Sequence, residues 1–383
     1  MRKLLFALTV LIAGFLAGRA QAQTAYIAFG DSITAGVGDD DRAEKGYPPR
    51  LEALLQGAGF NAVVENYGVP GEDTIQGLER INGVLNEAAL SGDVLILMEG
   101  TNNISRGIPI ETTRFNLTTM AGRAESRGMT VIHATTIPRL PDAKFDPGNI
   151  TNVWLNQNIR DMAGRNGRKL ADPFEVLSTT PDLFMRYYYQ GNDDPVGHPN
   201  AEGYDLLAQI FFDVIRNVDR VPPVTGIVDP AHGDKEVSAS TPITVDVWDF
   251  GAGIDLAATT LKINGVETGV VPTGDPKKAV LTYQPPAPLT GIVSVSLSSR
   301  DLATPSNTVD REVFSFTIAG TQILTGDLDQ DGRVDGADLL RFARRFGSRL
   351  GETLYSPSAD FNNDAIVDGQ DLAVLANNFG KSG

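Results

Sequence analysis

The chain of 383 residues contains no cysteine and only 3 histidines. The lack of cysteine excludes disulfides, thiolate nucleophiles and Cys-ligated zinc or iron–sulfur sites. Basic residues are also few: 32 Lys and Arg stand against 48 Asp and Glu, which gives a formal net charge of −16. Because no run of Lys or Arg offsets this negative charge, a phosphate backbone would be repelled. We therefore expect no nucleic-acid partner.

Long hydrophobic runs are missing except at the N-terminus. There, two basic residues precede an apolar run at residues 4–16, and Ala20 and Ala22 supply small side chains. This order is typical of a secretory signal peptide at residues 1–22, and the run is short for a membrane-spanning helix. We expect cleavage before Gln23, a secreted (extracellular or periplasmic) protein, and no membrane span in the mature chain. The alternative is an uncleaved membrane anchor.

From residue 23 to about residue 219, short apolar segments alternate with helical patterns. Strands are predicted at residues 25–29, 62–64, 94–98 and 131–134, and helices at residues 50–55, 75–88, 113–127, 153–163 and 204–218. Uninterrupted apolar strands separated by helices are typical of an α/β domain whose parallel sheet is covered on both faces. In such sheets ligands bind at the carboxyl ends of the strands.

The pattern changes at residues 223–320, where apolar and polar residues alternate and no helical pattern persists. Short alternating strands joined by turns are typical of an antiparallel β-sandwich. The overall pattern resembles the immunoglobulin-like modules of bacterial secreted proteins.

Four polar segments stand where a parallel sheet would expose them. Residues 29–32 (Phe-Gly-Asp-Ser) follow the first strand, residues 66–74 the second and residues 99–103 the third, and residues 193–200 precede the last helix. The second and third segments contain glycine. Their backbone N–H groups and an amide side chain could converge on a developing oxyanion.

In this order, the four segments resemble the sequence blocks of the GDSL or SGNH serine hydrolases across residues 26–215. The resemblance implies a three-layer α/β/α fold and hydrolysis of esters or thioesters without a catalytic cofactor. It also implies that Ser32 is the nucleophile and His198 its general base, with an oxyanion hole formed by the Ser32 N–H, the Gly71 N–H and the Asn102 side chain. Such a base is needed because a serine hydroxyl is a poor nucleophile until an imidazole removes its proton.

The other two histidines offer one alternative base. His232 lies in the predicted β-sandwich, outside the catalytic region. His133 lies within an apolar strand, where a buried structural histidine is the simpler interpretation. His198 is thus the predicted base, and His133 the alternative.

The acidic partner of the base is less clearly marked. The family places Asp three residues before its His, and that position here is Pro195. Asp194 is predicted to support the imidazole of His198, with Asp193 or a backbone carbonyl as alternatives. Asp31 has a structural role in the family pattern, in which it fixes the loop of the nucleophile.

An internal repeat at residues 327–338 and 360–371 has the spacing of calcium-binding loops. Oxygen-bearing side chains stand at loop positions 1, 3, 5, 9 and 12, and position 7 offers its backbone carbonyl. Hard oxygen ligands without Cys or His favour structural Ca²⁺. The predicted ligands are Asp327, Asp329, Asp331, Arg333, Asp335 and Asp338 in the first loop, and Asp360, Asn362, Asp364, Ile366, Asp368 and Asp371 in the second.

A short amphipathic helix follows each loop, and the duplicated unit at residues 321–383 resembles a dockerin domain. The resemblance implies attachment to a cohesin-like protein or another cell-surface partner. Ala365 replaces the usual glycine at position 6 of the second loop. At positions 10 and 11, Gly336-Ala337 and Gly369-Gln370 lack the hydroxyl groups of cellulosomal recognition pairs.

These observations predict a secreted serine esterase that forms an acyl-enzyme on Ser32. Its domains would be the catalytic domain at residues 23–219, an Ig-like spacer at residues 223–320 and the dockerin-like tail. Candidate substrates are lysophospholipids or other acyl esters, and acetylated polysaccharides. The alternative is a catalytically inactive surface or adhesion protein that uses the α/β domain as a binding module.

Overall fold

A computed structural model describes residues 23–41, 45–88, 93–139, 146–189, 197–320, 324–328, 333–350 and 354–381. The predicted signal peptide, the two candidate acids Asp193 and Asp194, and the calcium-loop residues Asp329 and Asp331 lie outside the described residues. Within these ranges, no helix combines the length and the apolar character needed to cross a membrane.

The first part of the chain forms a parallel sheet. Its strands are β1 (Thr24–Gly30), β2 (Ala62–Gly68), β3 (Val94–Met98), β4 (Thr130–Ala134) and β5 (Lys169–Ala171). Their order is β2-β1-β3-β4-β5, and all neighbours run parallel. The four strands predicted from apolar runs are present. The sequence does not predict β5, because a run of three residues is too short to stand out.

Both faces of this sheet are buried. In β3, Ile96 and Met98 belong to one hydrophobic core, whereas Leu95 and Leu97 belong to another. Successive side chains of a strand point to opposite faces, so a strand that is buried on both faces needs an apolar residue at every position. This requirement explains the uninterrupted apolar sequence of β3.

Helices cover the two faces. They are α1 (Ser32–Ala35), α2 (Tyr47–Gly57), α3 (Thr74–Ala88), α4 (Thr101–Ser105), α5 (Ile110–Glu125), α6 (Asp146–Arg165), α7 (Pro173–Ser178), α8 (Leu183–Arg186) and α9 (Ala201–Ile215). Residues of α2 and α9 join the core that contains Ile96, and residues of α3, α5 and α6 join the core that contains Leu97. The predicted α/β fold with a covered parallel sheet is confirmed.

The next part of the chain consists of two antiparallel sheets, here called the two-sheet region (residues 224–318). Its strands are β6 (Val224–Asp229), β7 (Ile243–Trp248), β8 (Thr260–Ile263), β9 (Val266–Glu267), β10 (Thr273–Gly274), β11 (Lys278–Tyr283), β12 (Ile292–Arg300) and β13 (Thr308–Thr317). The strand orders are β10-β11-β7-β6 and β13-β12-β8-β9. Val245 and Val247 of β7 share one hydrophobic core with Val293, Val295 and Leu297 of β12. Every second residue of these strands is therefore apolar, as their alternating sequence indicates.

Two short helices follow in the last part of the chain, α10 (Gly336–Ala343) and α11 (Gly369–Asn378). Their small common core contains Phe342 and Leu375. Helices of this length have little stability of their own, so their order depends on this core and on the loops that precede them.

Charged side chains link the α/β domain to the two-sheet region. Arg311 of β13 donates from Nη2 to both carboxylate oxygens of Glu175 in α7, each at 2.8 Å. Arg160 of α6 donates to the backbone oxygen of Thr225 in β6 at 3.0 Å and forms an ion pair with Asp172. The Glu175 and Arg160 side chains are each 4% exposed, so both are fixed by burial as well as by hydrogen bonds.

Candidate active site

Ser32 lies directly beyond the carboxyl end of β1, near the middle of the parallel sheet, and is the first residue of α1. Asp31 caps this helix, since its Oδ1 accepts a hydrogen bond from the Ile33 N–H at 2.9 Å. Gly30 permits the close approach of the ends of β1 and β3, because a Cβ at this position would lie 2.2 Å from the Met98 backbone oxygen. The chain thus presents the Ser32 hydroxyl at the sheet edge where ligands bind in such folds.

His198 contacts Ser32 directly. Its Nε2 lies 2.8 Å from the Ser32 Oγ, although the two residues are 166 positions apart. The His198 backbone oxygen accepts a hydrogen bond from the Tyr189 N–H at 2.9 Å, just before α9 begins. An imidazole nitrogen within hydrogen-bond distance of a hydroxyl is the geometry required of a general base and its nucleophile.

Gly38 makes room for this histidine, a role that the sequence motifs do not indicate. A Cβ on Gly38 would lie 2.7 Å from the His198 Cβ, and the residue has a φ of +86°. Glycine therefore meets both the close approach and the left-handed conformation. A glycine a few residues after the Gly-Asp-Ser segment is the only sequence signal for it.

The other two histidines contact different groups. His133 is fully buried in β4, and its Nε2 lies 3.3 Å from Nη1 of Arg168. Burial and, to a lesser extent, the charge of Arg168 lower the pKa of His133 to about 3. His232 accepts a hydrogen bond from the Ser315 N–H in the two-sheet region at 3.2 Å. Of the three histidines, His198 is the one within hydrogen-bond distance of Ser32.

Asn102 connects the two loops that carry the other predicted oxyanion donors. It is the second residue of α4, and its Nδ2 donates to the Glu72 backbone oxygen at 2.8 Å and to Asp31 Oδ2 at 3.4 Å. Asp31 precedes Ser32, and Glu72 follows Gly71. Asn102 therefore bridges the segment that carries Ser32 and the loop that carries Gly71.

The backbone amide of Gly71 is available for such a role. Among the described residues it donates no hydrogen bond, while the Gly71 backbone oxygen accepts one from Arg106 Nη2 at 2.6 Å. Gly71 has a φ of +77°, and a Cβ there would meet no atom within 4 Å. Arg106 also forms an ion pair with Asp73, so the loop after β2 is fixed on both sides of Glu72.

Three acidic side chains, Asp31, Glu72 and Glu99, lie close to one another at this site, and no local sequence pattern predicts their proximity. Glu72 forms a 2.5 Å ion pair with Arg80, whereas neither carboxylate oxygen of the buried Glu99 has a hydrogen-bond partner among the described residues. Burial raises the pKa of Glu99 well above its usual range, and the charges of Glu72 and Asp31 raise it further. Burial likewise raises the pKa of Asp31 to about 6, while its capping bond to Ile33 and the charge of His198 oppose this shift. The one sequence signal for this cluster is an acidic residue directly after an apolar strand.

The residues of the second calcium loop converge. Carboxylate oxygens of Asp360, Asp364 and Asp371 lie within 4.8 Å of one another, and all three residues are buried. Asn362 Nδ2 donates to Asp364 Oδ2 at 2.8 Å, and Asp368 caps α11. Three hard oxygen donors at one point fit a Ca²⁺ ion.

Both loops close in the same way. In the first, Asp338 accepts hydrogen bonds from the Leu328 N–H at 2.6 Å and from the Asp335 N–H at 2.8 Å. In the second, Asp371 accepts from the Phe361 N–H at 2.7 Å and from Asp368 in the same capping arrangement. The carboxylate at position 12 thus ties the start of each loop to its helix.

Position 6 of the second loop carries strain. Ala365 has a φ of +66° where glycine is usual, and Asn363, two residues earlier, also has a positive φ, of +57°. Left-handed backbone is costly for alanine because of its Cβ. At position 7, Ile366 forms a bridge to Arg349, and its N–H donates to Asp364 Oδ1 at 2.9 Å. Arg333, at position 7 of the first loop, is the first residue of the described range 333–350.

Comparison with known proteins gives two family matches. The GDSL-like lipase/acylhydrolase family matches residues 28–206, and the dockerin type I domain matches residues 325–380. The dockerin match agrees with the repeated oxygen-rich loops, and dockerin type I domains bind calcium. A comparison with curated proteins gave no match.

Several solved structures are similar to about half of the chain. The lipase/acylhydrolase from Enterococcus faecalis is 25% identical, with 50% of this chain and 96% of that chain covered and a TM-score of 0.42. A member of the lipolytic protein G-D-S-L family from Veillonella parvula is 24% identical, with coverage of 51% and 99% and a TM-score of 0.42. The psychrotrophic esterase EstA from Pseudoalteromonas sp. is 18% identical, with coverage of 50% and 97% and a TM-score of 0.39.

The family matches agree with the resemblances that the sequence motifs indicated. The match at residues 28–206 contains Ser32 and His198, and the match at residues 325–380 contains both loops of the repeat. The chain therefore carries a GDSL-like lipase/acylhydrolase domain, which makes it an ester-bond hydrolase, together with a dockerin type I domain.

Proposed function

We propose that the chain hydrolyses carboxylic esters through an acyl-enzyme formed on Ser32. The 2.8 Å contact between Ser32 Oγ and His198 Nε2 carries this proposal. His198 removes the hydroxyl proton as Oγ bonds to the ester carbonyl carbon, and it returns that proton to the leaving alcohol when the carbon–oxygen bond breaks. A water molecule, deprotonated by the same nitrogen, then releases the carboxylic acid and restores the serine.

The oxyanion formed in each step would be stabilised by the Ser32 N–H, the Gly71 N–H and Asn102 Nδ2. The contacts of Asn102 with the neighbours of both other donors support this role. Because the Gly71 amide has no partner among the described residues, it can donate to the oxyanion without losing another hydrogen bond. Donors held in place before the reaction stabilise the developing charge most effectively.

From the sequence, we propose that an acidic side chain supports His198. Asp194 is the first candidate and Asp193 the second. A carboxylate on the far side of the imidazole would orient the ring and stabilise the imidazolium that forms in each step. Replacing Asp194 by asparagine should lower kcat far more than replacing Asp193, and the reverse ranking would transfer the role to Asp193.

Hydrolysis of p-nitrophenyl acetate tests the assignment of Ser32 and His198. Ser32→Ala and His198→Ala should each abolish most turnover while circular dichroism shows an unchanged fold. Ser126→Ala, a serine whose hydroxyl donates to the Arg123 backbone oxygen, is the matched control and should keep full activity. An active Ser32→Ala variant would refute the acyl-enzyme on this residue.

The natural ester is proposed from the domain combination. Lysophospholipids or other acyl esters, and acetylated polysaccharides, are the candidates, and a dockerin domain beside the hydrolase domain favours a polysaccharide. A panel of acetylated sugars, lysophospholipids and acyl esters of graded length would separate these classes by kcat/KM. A preference for lysophospholipids would argue against the polysaccharide assignment.

We further propose that residues 1–22 direct secretion, that the two-sheet region is an Ig-like β-sandwich acting as a spacer, and that the dockerin domain binds a cohesin-like partner. Dockerin domains bind cohesins, which supports the last point. The shared core of the two antiparallel sheets supports the sandwich. Binding to a recombinant cohesin, measured with Ca²⁺ and with EDTA, tests the partner, and equal binding in both conditions would refute a calcium-dependent dockerin interface.

A further inference from the structure

A second group of carboxylates lies far along the chain from the calcium loops. Asp219 follows α9 in the segment that leads to the two-sheet region, Asp249 follows β7 and Asp301 follows β12. One carboxylate oxygen from each lies within 4.8 Å of the other two. Three elements from different parts of the chain thus bring their carboxylates to one point.

The surrounding backbone holds these side chains in fixed positions. Asp249 Oδ1 accepts hydrogen bonds from the Gly251 N–H at 2.9 Å and from the Gly253 N–H at 2.7 Å. Asp301 Oδ1 accepts from the Asn307 N–H at 2.8 Å. A binding point built in this way needs little reorganisation to receive a ligand.

Asp249 Oδ2 supplies the independent sign of a missing ligand. This oxygen is buried and has no hydrogen-bond partner among the described residues, and Asp249 as a whole is 5% exposed. Buried polar atoms are nearly always paired, because a carboxylate removed from water without a partner is costly. This oxygen belongs to the carboxylate that lies close to those of Asp219 and Asp301, so a cation bound among the three would give it a partner.

The charge of this group is not balanced by a basic side chain of the described residues. Within the described parts of the chain, no Lys or Arg forms an ion pair with any of the three carboxylates. The like charges therefore repel one another, and a cation among them would remove that repulsion.

The donor chemistry selects the cation. Oxygen ligands without histidine, in a chain without cysteine, favour Ca²⁺ or Mg²⁺ over zinc. Three carboxylates at one point favour Ca²⁺, which takes about six to eight oxygen ligands in flexible geometry, whereas Mg²⁺ usually keeps several waters and binds through one or two carboxylates. A cavity of about 320 Å³, lined by Asp219, Phe250 and Gly251, adjoins the group and gives room for water ligands.

We propose that Asp219, Asp249 and Asp301 bind one Ca²⁺ ion and so join the segment after α9 to the loops at one end of the two-sheet region. This site is separate from the two loops of the dockerin domain. Its role is structural: the ion fixes the connection between the α/β domain and the two-sheet region, because its ligands come from both sides of that connection.

Calcium stoichiometry of the full-length chain tests the proposal. Equilibrium dialysis should show that Asp249→Asn binds one Ca²⁺ fewer than the wild type. Asparagine keeps an Oδ1 for the Gly251 and Gly253 amides, so the loop should still form. The matched control is Asp310→Asn, which removes an exposed carboxylate paired with Lys262 and should leave the stoichiometry unchanged. Equal stoichiometry in Asp249→Asn and the wild type would overturn the proposal.

Terbium luminescence gives a second measurement that does not rely on a ligand variant. Trp248 directly precedes Asp249, so Tb³⁺ bound in place of Ca²⁺ should emit when tryptophan is excited. The emission should persist in Trp154→Phe, which removes the other tryptophan of the chain, and should be lost in Trp248→Phe. Absence of tryptophan-excited emission from the wild type would overturn the site.

Discussion

Replacing His133 by leucine should remove a defined part of the chain's sensitivity to acid. His133 is buried in β4, and its Nδ1 has no hydrogen-bond partner among the described residues. Burial lowers its pKa in the folded chain from 6.5 to about 3. Between these two values the unfolded chain binds a proton that the folded chain does not. Stability is therefore lost as the pH falls below 6.5, and the loss is complete near the folded-state pKa.

The size of the effect follows from the two pKa values. At about pH 7 the histidine is mostly neutral in both states, whereas at about pH 5 it is protonated almost only in the unfolded chain. The proton-binding relation then gives a loss of about 2 kcal/mol between these pH values for His133 alone. Since pH 5 lies well above the folded-state pKa, this loss depends almost entirely on the pKa in the unfolded chain.

Urea unfolding followed by the helical circular dichroism signal measures this effect. Most helical residues belong to α1 to α9, so the signal reports on the α/β domain. The free energy of unfolding of the wild type should fall by about 2 kcal/mol more than that of His133→Leu between the two pH values. Val266→Ala, at an exposed position, is the control and should keep the pH dependence of the wild type. The same pH dependence in His133→Leu and the wild type would refute the reasoning.

Three further predictions concern the oxyanion hole, the core and calcium. Asn102→Ala should lower kcat roughly 10²-fold with little change in KM, because one oxyanion donor is lost; a raised KM with unchanged kcat would instead make Asn102 a substrate-binding residue. Leu97→Ala should lower the free energy of unfolding by about 2–5 kcal/mol, since Leu97 is fully buried. Val266→Ala, at a position 70% exposed, should change it by less than about 0.5 kcal/mol, and equal effects in urea unfolding would contradict the assigned burial. Esterase activity of the full chain should survive EDTA, because no metal ligand is proposed for catalysis; loss of activity would show that the calcium-bound parts support the active site.

Most strands of the parallel sheet were predictable because a strand that is buried on both faces has a continuous apolar sequence. At β3 every position must be apolar, so the run at residues 94–98 is visible without knowledge of its neighbours. β5 has no recognisable pattern of this kind, because a run of three residues is too short. The alternating strands of the two-sheet region were visible for the related reason that each has one buried face.

The contacts of the candidate active site could not be predicted from local sequence patterns. Ser32 and His198 are 166 positions apart, and their contact depends on how the sheet brings the end of β1 and the start of α9 together. The resemblance to a known family implied the roles of both residues, whereas their separation in the sequence gave no indication of the contact. Glu99 was missed because its significance depends on the burial of a carboxylate beside Glu72 and Asp31, which only the folded chain creates.

The group formed by Asp219, Asp249 and Asp301 was missed for the same reason. Each residue stands at the end of a helix or strand, where an acidic side chain is ordinary in a turn. Nothing in the separate segments indicates that they meet within 4.8 Å. The calcium loops were different, because all their ligands lie within twelve consecutive residues and the spacing itself encodes the site.

Covalent labelling with a fluorophosphonate is the most direct test of the proposed acyl-enzyme. The reagent phosphonylates a serine that a neighbouring base has activated, and peptide mass analysis identifies the modified residue. We predict one adduct per chain, located on Ser32, absent from Ser32→Ala and formed much more slowly in His198→Ala, with ester hydrolysis lost in proportion to labelling. An adduct on another serine, or full ester hydrolysis by a chain whose Ser32 is completely labelled, would contradict the mechanism.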